Sequence, residues 1–189
     1  MTDRQAGAPS EMRRVRDIMI PVAQYPRVHL SDTLEDAISV MREAKLEVGR
    51  RPSLPRVLLV FDDEESLVGI VRRRDIMRGL EPKFLVDQPL ETRIKFFDVG
   101  VDPHLSELSG EASMEKVVKG LRDQSRRPVS DVLRPIHTTL SPTDRLMQAV
   151  YEMVSLNESL IPVVENETIV GVIRSVDVLQ ALADLIGVE

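Results

Sequence analysis

The 189-residue chain contains no cysteine and no tryptophan, and only two tyrosines and four phenylalanines. Without cysteine there is no disulfide, no thiolate nucleophile and no zinc-thiolate site, a composition that suits a reducing compartment. With so few rings there is no stacking platform for single-stranded nucleic acid or sugars, and the core must be aliphatic. Surplus positive charge is missing as well. The net charge is −6, which opposes binding to phosphate backbones or anionic membranes. No apolar run approaches the roughly 18–20 residues of a membrane span, and Met1 to Glu11 is polar, without the apolar stretch of a signal peptide. Three scattered histidines, with no His-Glu-x-x-His, no glycine-rich phosphate loop and no Gly-x-Ser-x-Gly, form no recognisable catalytic constellation. The expectation is a soluble, cytoplasmic protein that is not an enzyme and binds neither nucleic acid nor membrane.

What the chain does have is a repeat. Leu67-Val68-Gly69-Ile70-Val71-Arg72-Arg73-Arg74-Asp75-Ile76-Met77 returns 102 positions later as Ile169-Val170-Gly171-Val172-Ile173-Arg174-Ser175-Val176-Asp177-Val178-Leu179. Val, Gly, Arg and Asp recur in register, and every apolar position stays apolar. Self-similarity at a fixed spacing marks a repeated structural unit.

The same order of elements flanks both blocks. In the first copy, Val15 to Met19 is a short apolar segment stopped by Pro21, and Val28-His29-Leu30 is strand-like. Ser31 or Asp32 can cap a helix, with Glu35 at capping-box spacing from Asp32. Leu34, Ala37, Ile38 and Met41 form its buried stripe. Arg42 to Pro55 reads as the helix end and an exposed loop. Val57 to Phe61 is a buried strand, Asp62 to Ser66 an acidic turn, Leu67 to Val71 a second strand, and a short helix follows from about Arg73 to Gly79. The acidic turn lacks the alternation of a calcium-binding loop.

In the second copy, Val129 to Leu133 matches Val15 to Met19 at an offset of 114. Ser141-Pro142-Thr143-Asp144 has the Ser, Pro and acid of a helix start. Leu146, Ala149, Val150 and Met153 repeat the stripe at an offset of 112. Ser159 to Val164 and Ile169 to Ile173 form the hairpin, Ser175 caps a last helix through Ile186, and Gly187 ends it. The drop in offset from 112 to 102 places about ten extra residues in copy one, around Arg50 to Pro55. Each copy reads β-α-β-β-α, an α+β unit that cannot bury its sheet face and its helix stripe alone. The two are therefore expected to pack about a pseudo-twofold axis. The expected boundaries are a disordered tail at 1–12, repeat one at 13–80, an insert at 81–128 and repeat two at 129–187. The insert carries an amphipathic helix over Ser113 to Asp123, with Met114, Val117, Val118 and Leu121 on one side, and three of the four phenylalanines (Phe84, Phe96, Phe97). Its Asp102, His104 and Glu107 have no fixed helical spacing and read as a solvated loop, not a metal site.

The β-α-β-β-α order, the apolar run containing Pro162 and the Gly-x-x-x-x-x-Asp closing each hairpin resemble the CBS domain, and two copies in tandem resemble a Bateman module. The resemblance covers about residues 13–80 and 128–187. It implies a regulatory homodimer that binds an adenosyl ligand in the cleft between repeats: AMP, ADP or ATP, with S-adenosylmethionine or NAD less favoured. No cofactor would be required, and an unknown regulated protein would read the conformational change. Carried over residue by residue, Asp75 and Asp177 would accept the ribose hydroxyls. Leu58, Leu59, Ile161 and Pro162 would lie along the adenine, and His137 would stand near it.

The chemistry of the repeated block fits such a ligand. Glycine at a strand end admits close approach of a backbone or a flat ring, and a carboxylate in the first helical turn can accept two vicinal hydroxyls. The same carboxylate is also explained by the helix dipole alone, worth roughly 0.3–1 kcal/mol. One departure from the family pattern occurs in both copies. Where Ser or Thr commonly meets the phosphate, this chain has Arg72 and Arg174. Each arginine could grip a phosphate with a bidentate, charge-assisted contact, or it could fill the cleft and pair with the aspartate. The second arrangement leads to the alternative function, a ligand-free scaffold for protein–protein interaction.

Overall fold

The computed structural model describes residues 13–48, 51–86 and 110–187. Copy one comprises a 3-10 turn at Val15–Asp17, β1 (Ile20–Pro21), a second turn at Val22–Gln24, β2 (Arg27–His29), α1 (Leu34–Glu43), β3 (Leu46–Val48), β4 (Arg51–Ser53), β5 (Val57–Phe61), β6 (Leu67–Arg72) and α2 (Arg73–Gly79). Between the copies lie α3 (Lys83–Val86) and α4 (Gly110–Ser125). Copy two comprises a 3-10 turn at Val129–Val132, α5 (Leu146–Leu156), β7 (Leu160–Glu165), β8 (Thr168–Arg174) and α6 (Ser175–Ile186).

Two three-stranded sheets result, in the orders β2-β5-β6 and β1-β8-β7. The second order shows that the copies exchange their leading segments. β1 belongs to copy one in sequence, yet it pairs with β8, Ile20 opposite Val172. Reciprocally, Arg134 of copy two bridges Ile70 on β6, with both backbone hydrogen bonds formed at 2.9 and 3.0 Å. The exchange extends to the helix starts. The unpaired amide of Leu34 donates to Arg127 O, and that of Leu146 donates to Arg13 O. A helix leaves its first N–H groups without internal partners, and here the segment leading into the other copy supplies one. This reciprocal pairing realises the expected pseudo-twofold arrangement of two repeats.

Glycine makes the crossing possible. A Cβ on Gly69 would stand 2.5 Å from Arg134 O, and one on Gly171 would stand 2.6 Å from Ile20 O. Of the two approaches the sequence allows, a backbone or a ring, the structure has a backbone in both copies.

Burial follows from the layering. All five residues of β5 are buried because helices cover one face and the other sheet covers the opposite face. Alternation then sorts side chains between two environments. Leu58, Val60 and Val71 face α1 and α2, where Val129 of the other copy joins them. Val57, Leu59, Phe61 and Ile70 face the inter-sheet layer, meeting Tyr25, Leu160 and Val172. The mirror cluster of copy two takes Val15 from copy one. Each fully buried aliphatic contributes roughly 1.5–3 kcal/mol, so neither copy completes its core alone.

Five local expectations change. Arg42 to Pro55 is not an exposed loop throughout: β3 and β4 pair antiparallel, and Leu46 is buried in the inter-sheet cluster. The cap of α1 is Thr33, in a capping box with Asp36, because Asp32 instead accepts from His29 N at 2.7 Å. Ser141 to Asp144 likewise closes a turn, Ser141 N to Asp144 Oδ2 at 2.7 Å, and α5 begins only at Leu146. Ser175 is the first residue of α6 and does not cap it; Arg174 holds that position without a side-chain cap. The insert helix runs longer than expected, from Gly110 to Ser125. Of its stripe only Val117 is buried, with Met114, Val118 and Leu121 exposed. The expected tail, together with Phe96, Phe97, Asp102, His104 and Glu107, lies outside the described residues.

Candidate functional site

Strand alternation puts Ile70 and Arg72 on the same face of β6, toward the other sheet, and Val172 and Arg174 on the same face of β8. A helix begins at the residue after each arginine. Asp75 and Asp177 therefore stand in the first turn, three residues on, and point back at the guanidinium. Arg174 Nε and Nη2 reach Asp177 Oδ2 and Oδ1 at 2.6 and 2.7 Å. Arg72 makes the same contacts with Asp75 at 2.8 and 3.3 Å. Both pairs are largely buried, with all four side chains at most 12% exposed.

The pairs differ in their surroundings. Arg134, arriving with the exchanged segment, places Nη1 3.9 Å from Asp75 Oδ1. Burial pushes the Asp75 carboxyl up, but the hydrogen bond and charge of Arg72, with the charge of Arg134, outweigh it and hold the carboxyl below its usual range. The hydrogen bond that Arg72 donates to Asp75 chiefly raises the arginine's pKa, with Glu158 adding to the attraction. Arg72 and Asp75 of copy one and Arg134 of copy two thus converge near an acid of copy two, Glu158.

The walls come from both copies. A shallow recess is lined by Ile70 of copy one, two residues before Arg72 on β6, and by Pro135, Ile136, His137, Thr138, Glu158, Leu160 and Pro162 of copy two; Glu158 acts on the charge of Arg72. His137 is exposed at its mouth. At the pseudo-equivalent place, 112 positions before His137, stands Tyr25. Its ring is 4% exposed and packs with Val57, Leu59 and Val172. Its hydroxyl donates to Val57 O at 3.1 Å. Burial drives the phenol pKa strongly upward; Arg174 lowers it and Asp177 raises it, so the ring lies within the field of that pair.

The residues expected along the adenine divide. Pro162 lines the recess, and Leu59 faces the inter-sheet layer. Leu58 and Ile161 lie on the opposite strand faces, fully buried toward the helices. Tyr25, Ile70, Arg134, Glu158 and Leu160 were not singled out by sequence. Two signals for them existed: the 112 offset connects Tyr25 to His137, and a period of two from Pro162 selects Leu160 over Ile161. Nothing in the sequence marked Arg134, which is brought in by the exchange. Among the described residues no cluster of three metal-ligating side chains occurs, and no helix is long and apolar enough to cross a membrane.

A CBS domain family model matches residues 15–82 and 129–184. Solved structures agree in fold. The CBS domain of a CBS domain-containing membrane protein from Sphaerobacter thermophilus superposes with a TM-score of 0.60 at 23% identity, over 90% of this chain and 88% of its own. The CBS-pair protein CBSX2 from Arabidopsis thaliana gives 0.60 at 18% identity, over 92% and 96%. A structure of CBSX2 in complex with AMP gives 0.56 at 18% identity, over 91% and 97%. No functionally curated protein matches the sequence.

Proposed function

This chain belongs to the CBS domain family, with two domains in tandem, and from that premise we propose that it is a regulatory sensor of an adenosyl ligand, AMP, ADP or ATP in preference to S-adenosylmethionine or NAD. One observation carries the reading: each Arg–Asp pair stands where the other copy's crossing segment passes, so a ligand there touches both copies at once. A carboxylate is present for the ribose hydroxyls, guanidiniums for phosphate, and apolar walls for the base. The AMP complex of CBSX2, a protein of the same fold, supports this ligand class. Because the walls belong to different copies, affinity depends on how the copies are packed. A ligand that prefers one packing shifts the population toward it, and a partner protein reads the shift.

We also propose a homodimer. In copy two, Met147, Tyr151 and Val154 of α5 and Val176, Leu179 and Ile186 of α6 are exposed on packed helices. The corresponding positions of α1 carry Glu35, Ser39 and Arg42. An apolar patch of this kind marks an association surface.

The rival reading, a ligand-free scaffold, is favoured by the fact that both guanidiniums already hold carboxylates. Calorimetry with AMP, ADP, ATP, S-adenosylmethionine and NAD separates the two. The sensor reading expects binding by at least one of them, weakened tenfold or more when the aspartates are replaced together (Asp75→Ala with Asp177→Ala). Absence of binding at millimolar concentration refutes it. Retained affinity in the double variant refutes the site.

A further inference from the structure

The two clefts are pseudo-equivalent in sequence and unequal in structure. In the Asp177 cleft, Tyr25 occupies the space against Val57 and Val172, and its hydroxyl is used on Val57 O. The stretch after α1 that copy two lacks begins on the same side. β3 packs against α6, the helix that carries Asp177, and Leu46 enters the cluster around Tyr25. Copy two has no corresponding hairpin, since α5 ends at Leu156 and β7 begins at Leu160. Its counterpart of Tyr25 is the exposed His137, and a recess remains between Ile70, Leu160 and Pro162. Arg134 adds a second guanidinium beside Asp75.

We infer that each chain has a single adenosyl site, in the Asp75 cleft at His137, and that Tyr25 with the β3–β4 hairpin permanently seals the other. The inference rests on the sensor reading and assigns its stoichiometry and location. In the open cleft the base lies on Ile70, Leu160 and Pro162, and the ribose meets Asp75. Arg72 and Arg134 face the phosphates, so a ligand with two or more phosphates binds more tightly than AMP.

The test uses the full chain, with ATP as the probe. Calorimetry of the wild type is expected to give one site per chain. His137→Tyr copies the seal: the new ring enters the recess and its hydroxyl can reach Leu160 O, the counterpart of Val57 O at an offset of 103. Affinity is expected to fall at least tenfold, while circular dichroism and thermal unfolding stay near wild type. Two sites per chain in the wild type, a measurement that needs no variant, would overturn the inequality and leave the sensor reading standing. One site with unchanged affinity in His137→Tyr would place that site elsewhere and overturn the location. No binding of ATP or of any other adenosyl compound to the wild type removes the sensor reading, and this inference with it.

Discussion

Replacing Gly69 by Ala adds one methyl group at the point where the two copies exchange strands. That methyl would stand 2.5 Å from Arg134 O and 2.6 Å from Leu133 Cδ1. The leucine methyl is the end of a side chain and can turn away. The carbonyl cannot, because Arg134 N and O are both bonded to Ile70, at 2.9 and 3.0 Å. Reaching ordinary contact at 3.4 Å requires a retreat of about 0.9 Å, which breaks the two-bond bridge. Losing two hydrogen bonds costs about 1–3 kcal/mol, and the strain of an overpacked core adds roughly 1–3 kcal/mol. A loss of about 2–6 kcal/mol is expected, from a total that rarely exceeds about 15 kcal/mol for one domain. Gly171→Ala meets Ile20 O at 2.6 Å and should lose a similar amount. Gly79→Ala meets the side-chain atoms Val132 Cγ1 and Leu34 Cδ1, which can give, so it should lose less. Gly187→Ala meets nothing within 4 Å and suffers only from its φ of +72°, by about 1 kcal/mol. Urea unfolding followed by far-ultraviolet circular dichroism gives all four values. If Gly69→Ala and Gly171→Ala both unfold within 0.5 kcal/mol of wild type (about the scatter of a neutral surface change), the crossing is not held as described.

Further outcomes concern charge and assembly. Asp75→Asn breaks a buried pair, so at pH 7 it should destabilise by about 3–5 kcal/mol. The Asp75 carboxyl is held below its usual range, so its stabilisation is complete above the unfolded value near pH 4 and is lost as pH falls through the folded one. Urea midpoints of wild type and variant should therefore converge in acid, and a constant gap down to pH 2 would refute this. Tyr25→Phe removes the bond to Val57 O and should cost about 1 kcal/mol at neutral pH. Burial raises the Tyr25 phenol, so the wild type loses its advantage as pH climbs above about 10. The phenolate absorbance absent from Tyr25→Phe should appear only as the wild type unfolds. Tyr151→Glu with Val154→Glu places charge in the exposed face of α5 and should convert a dimer into a monomer, measured by light scattering. An unchanged mass would move the interface elsewhere.

Much of this protein was legible because its signals are periodic. In the stripes Leu34-Ala37-Ile38-Met41 and Leu146-Ala149-Val150-Met153 three residues of each are buried as the helical spacing requires, with Ile38 and Val150 half-buried at the edge. The repeated Gly and Asp occupy equivalent places in both copies, and the family follows from their order. Boundaries were less legible. Asp32 and Ser141 have the chemistry of helix caps, yet tighter turns use them. The sequence does not say which of two nearby amides a side-chain oxygen will choose.

The sequence by itself determined two repeated α+β units, each with a helix, a hairpin and a second helix, their common motif and a symmetric Arg-and-Asp pair, because hydrophobic period and residue chemistry are local properties. Only the tertiary structure decided what those residues do. The exchange of β1 and of the segment at Arg134 depends on contacts between residues far apart in the chain, Ile20 with Val172 and Ile70 with Arg134, which no local pattern records. It fixed why Gly69 and Gly171 are glycine, and it brought Arg134 to Asp75. It also set Tyr25 against one pair and His137 near the other. The repeat is nearly symmetric along the chain. The clefts are not, because one buried ring and one short hairpin fill the first and nothing equivalent among the described residues fills the second.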